Sequence, residues 1–256
     1  MSIPDKQFGM PSCLNQKSKP SLFCPGCGES MILKHLGIVI DDQKIGSKTT
    51  LAIDIGCTLL SWNYFNFDII QTHHGRSIPV SVGYKMANGK RIVIALMGDG
   101  GAYAIGLQSL LHAAFRNDPI IAIVINNTEY SMTGGQMAPT SIPDEITSTS
   151  PLGKNASIFG PAFHGPELVR NIANSAAFIA RASVSNPTMI ETVIAKAIKN
   201  HLAGNFSMIE ILSICPTNWK MNAAESFEFL AKLEKIYPLG EIIKNKSVKD
   251  SASNAE

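Results

Sequence analysis

Residues 91–127 read RIVIALMGDGGAYAIGLQSLLHAAFRNDPIIAIVINN. The apolar run at 92–97 lies between Gly89 and Gly98, which predicts a strand over 91–97 that is buried on both faces. Leu107, Leu110, Leu111, Ala114 and Phe115 recur at helical spacing and predict one apolar helix face. Asn117-Asp118-Pro119 ends that helix, because a proline drives the residue before it out of the α region. A second apolar run, 120–125, predicts the next strand. Strand, helix and strand, with both strands apolar on both faces, form the unit of a parallel sheet covered on both sides.

The same alternation continues in both directions. Residues 51–55, 178–184 and 207–214 read as further buried strands. Asn186-Pro187 opens a helix whose Ile190, Val193, Ile194, Ala197 and Ile198 face inward. The predicted class is α/β, a doubly wound and mostly parallel sheet. Residues 1–20 read as an extended arm, 21–240 as the α/β domain and 241–256 as a polar, mobile tail. The segment 137–165 is rich in Pro, Ser, Thr and Gly and has no period, and a loop of that length in a domain is expected to be functional. A net charge of +2 points away from a nucleic-acid partner. No apolar run reaches membrane-spanning length, and residues 1–20 lack the apolar stretch of a signal peptide. A cytoplasmic protein is therefore expected. There, five cysteines are metal ligands or free thiols rather than disulfides.

Two constellations carry chemistry. Gly98-Asp99-Gly100 follows the strand at 91–97, Asn126-Asn127 follows the strand at 120–125, and residues 101–125 lie between them. On parallel neighbours, Asp99 and Asn127 sit just beyond the carboxyl ends, where open α/β sheets bind ligands. A carboxylate and an amide oxygen suit Mg²⁺, which completes its shell with water and phosphate. Gly98, Gly100 and Gly101 allow close backbone approach to a diphosphate, and the helix start adds N–H donors. The second constellation is Cys24-Pro25-Gly26-Cys27-Gly28 with Cys57 and Cys215. The last two directly follow predicted strands, on the same rim. Four thiolates suit Zn²⁺ or a [4Fe–4S] cluster, and spacing does not separate them.

The pair Gly98-Asp99-Gly100 and Asn126-Asn127 resembles the thiamine diphosphate motif. Residues 130–140, Tyr-Ser-Met-Thr-Gly-Gly-Gln-Met-Ala-Pro-Thr, resemble the signature Tyr-Gly-Met-Thr-Gly-Gly-Gln-x-Ser-Pro-Thr of the 2-oxoacid:ferredoxin oxidoreductases. Ser131 and Ala138 depart from it, both as small residues. The Cys-Pro-Gly-Cys-Gly motif, Ile55-Gly56-Cys57 and Cys215-Pro216-Thr217 resemble the cluster ligands of that family's β-type subunit. The match runs from about residue 23 to residue 218.

This resemblance implies a thiamine diphosphate-binding fold. It implies Mg²⁺ on the side chains of Asp99 and Asn127 and the backbone carbonyl of Glu129, with the Thr133 hydroxyl on the diphosphate. Further cofactor contacts are implied at Gly56, Cys57, Thr58, His74, Gly98, Gly100, Gly101, Tyr130 and Met132. The four cysteines Cys24, Cys27, Cys57 and Cys215 would hold a [4Fe–4S] cluster. His74 and Arg76, from a His-Gly-Arg before the helical stretch 80–87, would orient the diphosphate or the substrate carboxylate. The implied activity is oxidative decarboxylation of a 2-oxoacid to an acyl-coenzyme A, with electrons passed to ferredoxin. The family's activating glutamate lies on an α-type partner subunit, and γ- or δ-type subunits also occur; nothing in this sequence marks Glu29, Glu145 or Glu167 for that role. Phe23 and Ala138-Pro139-Thr140 lean toward the branched-chain substrates. Cys13 has no place in the pattern and reads as a free thiol in the arm, and His35, His112 and His201 read as structural. The competing readings are a non-redox thiamine decarboxylase or synthase subunit, which has no need of the four cysteines, and a zinc-dependent binding module.

Overall fold

The computed structural model describes residues 9–15, 17 and 21–242. The expectations for the remainder of the arm and for residues 243–256 of the tail lie outside the described residues. In chain order the first elements are α1 (Gly28–Asp42), β1 (Thr49–Ile53), β2 (Asp68–Gln71), α2 (Ser77–Ala87), β3 (Ile92–Gly98), α3 (Leu107–Arg116) and β4 (Ile121–Asn126). A two-stranded hairpin of β5 (Glu129–Tyr130) and β6 (Gln136–Met137) follows, then α4 (Ala156–Phe159) and α5 (Gly165–Ile172). The chain continues through β7 (Phe178–Ser183), α6 (Pro187–Leu202), β8 (Ser207–Leu212), α7 (Pro216–Trp219), α8 (Ala223–Ile236) and β9 (Gly240–Glu241).

Seven strands form one sheet in the order β2-β1-β3-β4-β8-β7-β9. Every neighbouring pair is parallel except β7 and β9. Successive residues of β3 serve opposite faces, as the pleat requires. Ile92, Ile94 and Leu96 enter one core with Ile32 and Leu36 of α1, Ile190 and Ile194 of α6, and Leu230 and Leu233 of α8. Val93, Ala95 and Met97 enter the other with Ile78 of α2, Leu110 of α3 and Val169 of α5. Two cores on two faces explain the unbroken apolar runs, and the sheet is doubly wound as the sequence predicts.

Several details differ from expectation. Phe115 is 66% exposed, not part of the apolar face of α3. That helix lies against its core through Ala113 and Ala114, and Phe115 follows them by a further 100° of turn. The strand at 51–55 ends at Ile53, which leaves Asp54 and Ile55 on the rim. The inner arm is docked rather than extended into solvent. Leu14 bridges to Phe65 and is buried, while Cys13 is buried with its thiol 3.4 Å from the Gly37 carbonyl. Segment 137–165 packs through its own buried polar groups. Lys154 Nζ donates to the Ser141 carbonyl at 2.7 Å and to the Pro161 carbonyl at 3.2 Å. Among the described residues, no helix is long and apolar enough to cross a membrane.

Candidate active site

Because β1, β3, β4 and β8 are parallel, their carboxyl ends share one rim. A cavity opens there. Of the residues expected at the cofactor, Gly56, Cys57, His74, Gly98, Asp99, Gly100, Gly101, Asn127, Glu129, Tyr130, Met132 and Thr133 all line it. Thr58 and Arg76 do not. The Thr58 hydroxyl turns into the protein and donates to the Asp54 carbonyl at 3.1 Å. Arg76 donates to the carbonyls of Gly75 and Ile105, both at 3.1 Å, and faces a separate surface cavity with exposed His112. Its guanidinium ties two backbone turns together instead of reaching the cofactor pocket. Of the other two histidines read as structural, His35 pairs with Glu191 at 2.7 Å, and His201, in the last turn of α6, is buried with its pKa lowered to about 4 by burial.

Asp99 follows the last residue of β3 and is 1% exposed. Thr140, from the long segment, donates its hydroxyl to Asp99 Oδ2. Tyr237, just past α8, donates in turn to the Thr140 carbonyl. Burial pushes the Asp99 carboxyl up to about 7, while the hydrogen bonds from Thr140 and the Gly100 N–H oppose that rise. Asn127 lines the cavity, whereas Asn126 is fully buried and turns its Oδ1 to the Thr128 N–H at 3.1 Å. Thr128 between them and Glu129 has φ +63°, a left-handed conformation that strains a β-branched residue. It is held there by hydrogen bonds with Glu145 and Ser141 of segment 137–165. The segment thus fixes both turns that carry the expected cation ligands.

Gly100 and Gly101 open a π-helical turn, Gly101–Ile105. A side chain at Gly100 would overlap the Tyr130 ring, and one at Gly101 would overlap the Asp54 carboxylate. The glycines are therefore required by close packing around the cavity. The cavity lining contains no lysine and no arginine. It does contain carboxyls. Glu29 is 3% exposed and pushed up to about 8 by burial and by the charge of Asp99, and its Oε2 has no hydrogen-bond partner in the protein. Glu129 is pushed up to about 8 by burial, by Glu145 and by Asp99, and neither of its carboxyl oxygens has a partner. Glu145 and Glu167 are engaged elsewhere: the first accepts from Thr128 and from the Ile142 N–H, the second pairs with Arg181. Of the three glutamates that the sequence leaves unmarked, Glu29 is the one on the cavity wall.

These donors fit Mg²⁺ and a diphosphate. With no cationic side chain in the lining, a diphosphate would be neutralised by a divalent cation on Asp99 and Asn127 and by backbone N–H groups. The four cysteines also converge. Each pair among Cys24, Cys27, Cys57 and Cys215 lies close enough to interact electrostatically, and Cys57 faces the cavity. Burial drives the Cys27 thiol up to about 12, and Cys57 rises further, by burial and then by Glu29. The Cys-x-x-Cys-Gly turn is seated by the Gly28 N–H on the Ile214 carbonyl at 3.1 Å, and a side chain at Gly28 would overlap Ser213. Among the described residues, no three His, Cys, Asp or Glu side chains stand as ligands to one metal ion. Phe23, expected to bear on substrate choice, packs edge-on against Tyr64 and does not line the cavity.

Residues 54–211 match the family described as thiamine pyrophosphate enzyme, C-terminal TPP binding domain. Sheet, rim cavity and match define the chain as the cofactor-binding α/β unit of a thiamine pyrophosphate enzyme. It is 34% identical over 223 residues to the ketoisovalerate oxidoreductase subunit VorA of Methanothermobacter thermautotrophicus, covering 85% of this chain and 46% of that one. It is 34% identical over 217 residues to the 2-oxoglutarate synthase subunit KorB of Archaeoglobus fulgidus, covering 85% and 78%. Its fold matches that of a 2-oxoglutarate:ferredoxin oxidoreductase from Magnetococcus marinus, solved with 2-oxoglutarate, coenzyme A and succinyl-CoA bound, at a TM-score of 0.78 and 22% identity, covering 97% of this chain and 90% of that chain. The chain spans about half the length of the two VorA relatives it matches, 46% and 48%. The chain belongs to the β-type, thiamine diphosphate-binding subunits of the 2-oxoacid:ferredoxin oxidoreductases.

Proposed function

We propose that this chain holds thiamine diphosphate through Mg²⁺ and a [4Fe–4S] cluster beside it, as one half of the active site of a cytoplasmic 2-oxoacid:ferredoxin oxidoreductase. The observation that carries this reading is a single cavity lined by Asp99, Asn127 and Cys57, with the thiols of Cys24, Cys27 and Cys215 close behind Cys57. Asp99, Asn127 and the Glu129 carbonyl would bind the cation. Gly100, Gly101 and Thr133 would meet the diphosphate. Bound thiamine diphosphate would supply the carbon nucleophile that attacks the 2-oxoacid, and a neighbouring cluster would supply a route for the electrons left when CO₂ departs. The buried wall around Asp99 keeps water from the reacting centre.

Four thiolates suit either tetrahedral zinc or a four-iron cluster, and the family resemblance favours the cluster. An α-type partner, coenzyme A as acyl acceptor and ferredoxin as electron acceptor would complete the reaction. The family resemblance suggests all three; the name of the 2-oxoacid:ferredoxin oxidoreductase subunit beta of Saccharolobus solfataricus carries ferredoxin, and the name of the Magnetococcus marinus structure carries ferredoxin and coenzyme A. The substrate is a 2-oxoacid. The test is anaerobic purification of the chain with its partner subunits, followed by iron analysis and ferredoxin or viologen reduction over a panel of 2-oxoacids with coenzyme A. Iron-loaded protein with 2-oxoacid-dependent reduction is expected. Thiamine-dependent decarboxylation by an iron-free protein would replace this reading with a non-redox one.

A further inference from the structure

The histidine on the cavity wall is held from behind by an aspartate that no sequence motif singles out. Asp54 follows β1 and is fully buried. Its Oδ1 accepts from the Gly75 N–H at 2.7 Å, and its Oδ2 lies 3.1 Å from His74 Nδ1. Gly101 makes room for this pair, since a side-chain carbon there would overlap Asp54 Oδ2 and stand 3.3 Å from His74 Cε1. The ring also meets Tyr130 edge to face, with centroids 6.1 Å apart. His74 is thus fixed from two directions while lining the same cavity as Asp99 and Asn127.

We propose that Asp54 is a positioning residue for His74: it takes the hydrogen on Nδ1 and leaves Nε2 open to the cavity as a hydrogen-bond acceptor. An ionised Asp54 has no hydrogen to give, so the nitrogen that faces it must be the donor. The remaining ring nitrogen then carries a lone pair. A lone pair meets a hydroxyl, an amine or a water, and repels an anionic oxygen. This changes the role expected for His74 from the sequence. In its neutral form the ring would receive a hydrogen bond from a donor group of the bound cofactor or substrate, instead of gripping the diphosphate. The inference deepens the thiamine reading and rests on it for the identity of that donor.

The geometry also dictates what Asp54→Asn would do. The Gly75 N–H keeps the amide oxygen on its own side, so the amide NH₂ must face His74. His74 Nδ1 then becomes the acceptor, and the ring hydrogen moves to Nε2, as in a triad whose carboxylate becomes an amide. Nitrogen-15 shifts and ring couplings of His74, read in the labelled cofactor-free chain, distinguish the two tautomers. The Nδ1–H form is expected in the native chain and the Nε2–H form in Asp54→Asn. An Nε2–H or freely averaging ring in the native chain overturns the proposal, and this reading needs no variant to fold. An unchanged tautomer in folded Asp54→Asn overturns it as well. In the assembled complex, Asp54→Asn and His74→Gln should each lower kcat about 10- to 100-fold, the range for losing an orienting partner. The double variant should lose no more than the worse single one, because the two act as a unit. Multiplying losses would overturn the pairing. The tautomer is measured without cofactor. The expected tautomers in a complex that binds no thiamine diphosphate would support the Asp54–His74 pair and count against the thiamine reading alone.

Discussion

Replacing Thr140 with valine asks whether the hydroxyl behind Asp99 sets the strength of the proposed cation site. Thr140 and Asp99 are 0% and 1% exposed, so water has no path to replace the lost donor. Valine keeps the branched shape and removes only the hydroxyl–carboxylate hydrogen bond. A hydrogen bond to a charged group contributes about 1.5–3 kcal/mol. At about 1.4 kcal/mol per tenfold, Mg²⁺-dependent binding of thiamine diphosphate should weaken about 10- to 150-fold. There is also a pH signature. The Thr140 hydrogen bond holds the Asp99 pKa down against burial, which pushes it up to about 7. Without that bond the carboxyl ionises at higher pH, so the loss should be larger near neutrality and smaller in alkali. Titration calorimetry at fixed Mg²⁺, near pH 7 and near pH 9, reads both effects; iron content should stay at the native level. Affinity within about twofold of native at both pH values, well below the expected loss of a charged hydrogen bond, would refute the role assigned to Thr140.

Asp99→Ala should abolish Mg²⁺-dependent thiamine diphosphate binding, whereas Asn127→Ala, which removes a neutral ligand, should weaken it less; calorimetry with and without Mg²⁺ orders the two. Cys57→Ala should lower iron content and ferredoxin reduction, while Cys13→Ala, whose thiol is buried against Gly37, should leave iron content unchanged. The cofactor-free chain should lose stability as the pH rises from about 5 to about 8: Asp99, Glu29, Glu129 and Glu145 have raised pKa values, so the folded chain holds protons that the unfolded chain has already released. Thermal melts should show that fall, and Mg²⁺ with thiamine diphosphate should reverse part of it; a melting temperature that rises over this range would contradict the buried carboxyl cluster.

What the sequence reveals about this fold follows from burial. β1, β3, β4, β7 and β8 are covered on both faces, so their apolar runs stand out and their carboxyl ends locate the rim. β2 does not stand out, because Asp68–Gln71 is a four-residue edge strand with both end residues exposed. α8 carries an Asn222–Glu225 capping box that a search for helix starts would find. Asp99 and Asn127 are legible because the cation ligands proposed for them call for particular residue types at strand ends. Asp54 is not, and Thr140 is legible only as part of the 130–140 signature and not as the partner of Asp99, because their contacts come from elsewhere in the chain: His74 and Gly75 for one, Asp99 and Tyr237 for the other. Arg76 shows the converse limit. Its motif gives the residue but not its direction, and the direction is decided by the free carbonyls of Gly75 and Ile105. Glu29 looks like an ordinary first-turn acid of α1 until the fold turns it onto the cavity wall.

The position of β8 between β4 and β7 has a consequence for the order in which the chain matures. Cys24, Cys27 and Cys57 leave the ribosome long before Cys215, which follows a strand that pairs with β4 across more than 80 residues of chain. Pairings of such separation form late, since the intervening loop must close first. The Cys-x-x-Cys turn has its seat on Ile214 only once β8 is in place. Until then the chain carries three thiols without their fourth neighbour. Loading of the proposed cluster would therefore follow folding, with iron and sulfide delivered to a finished sheet.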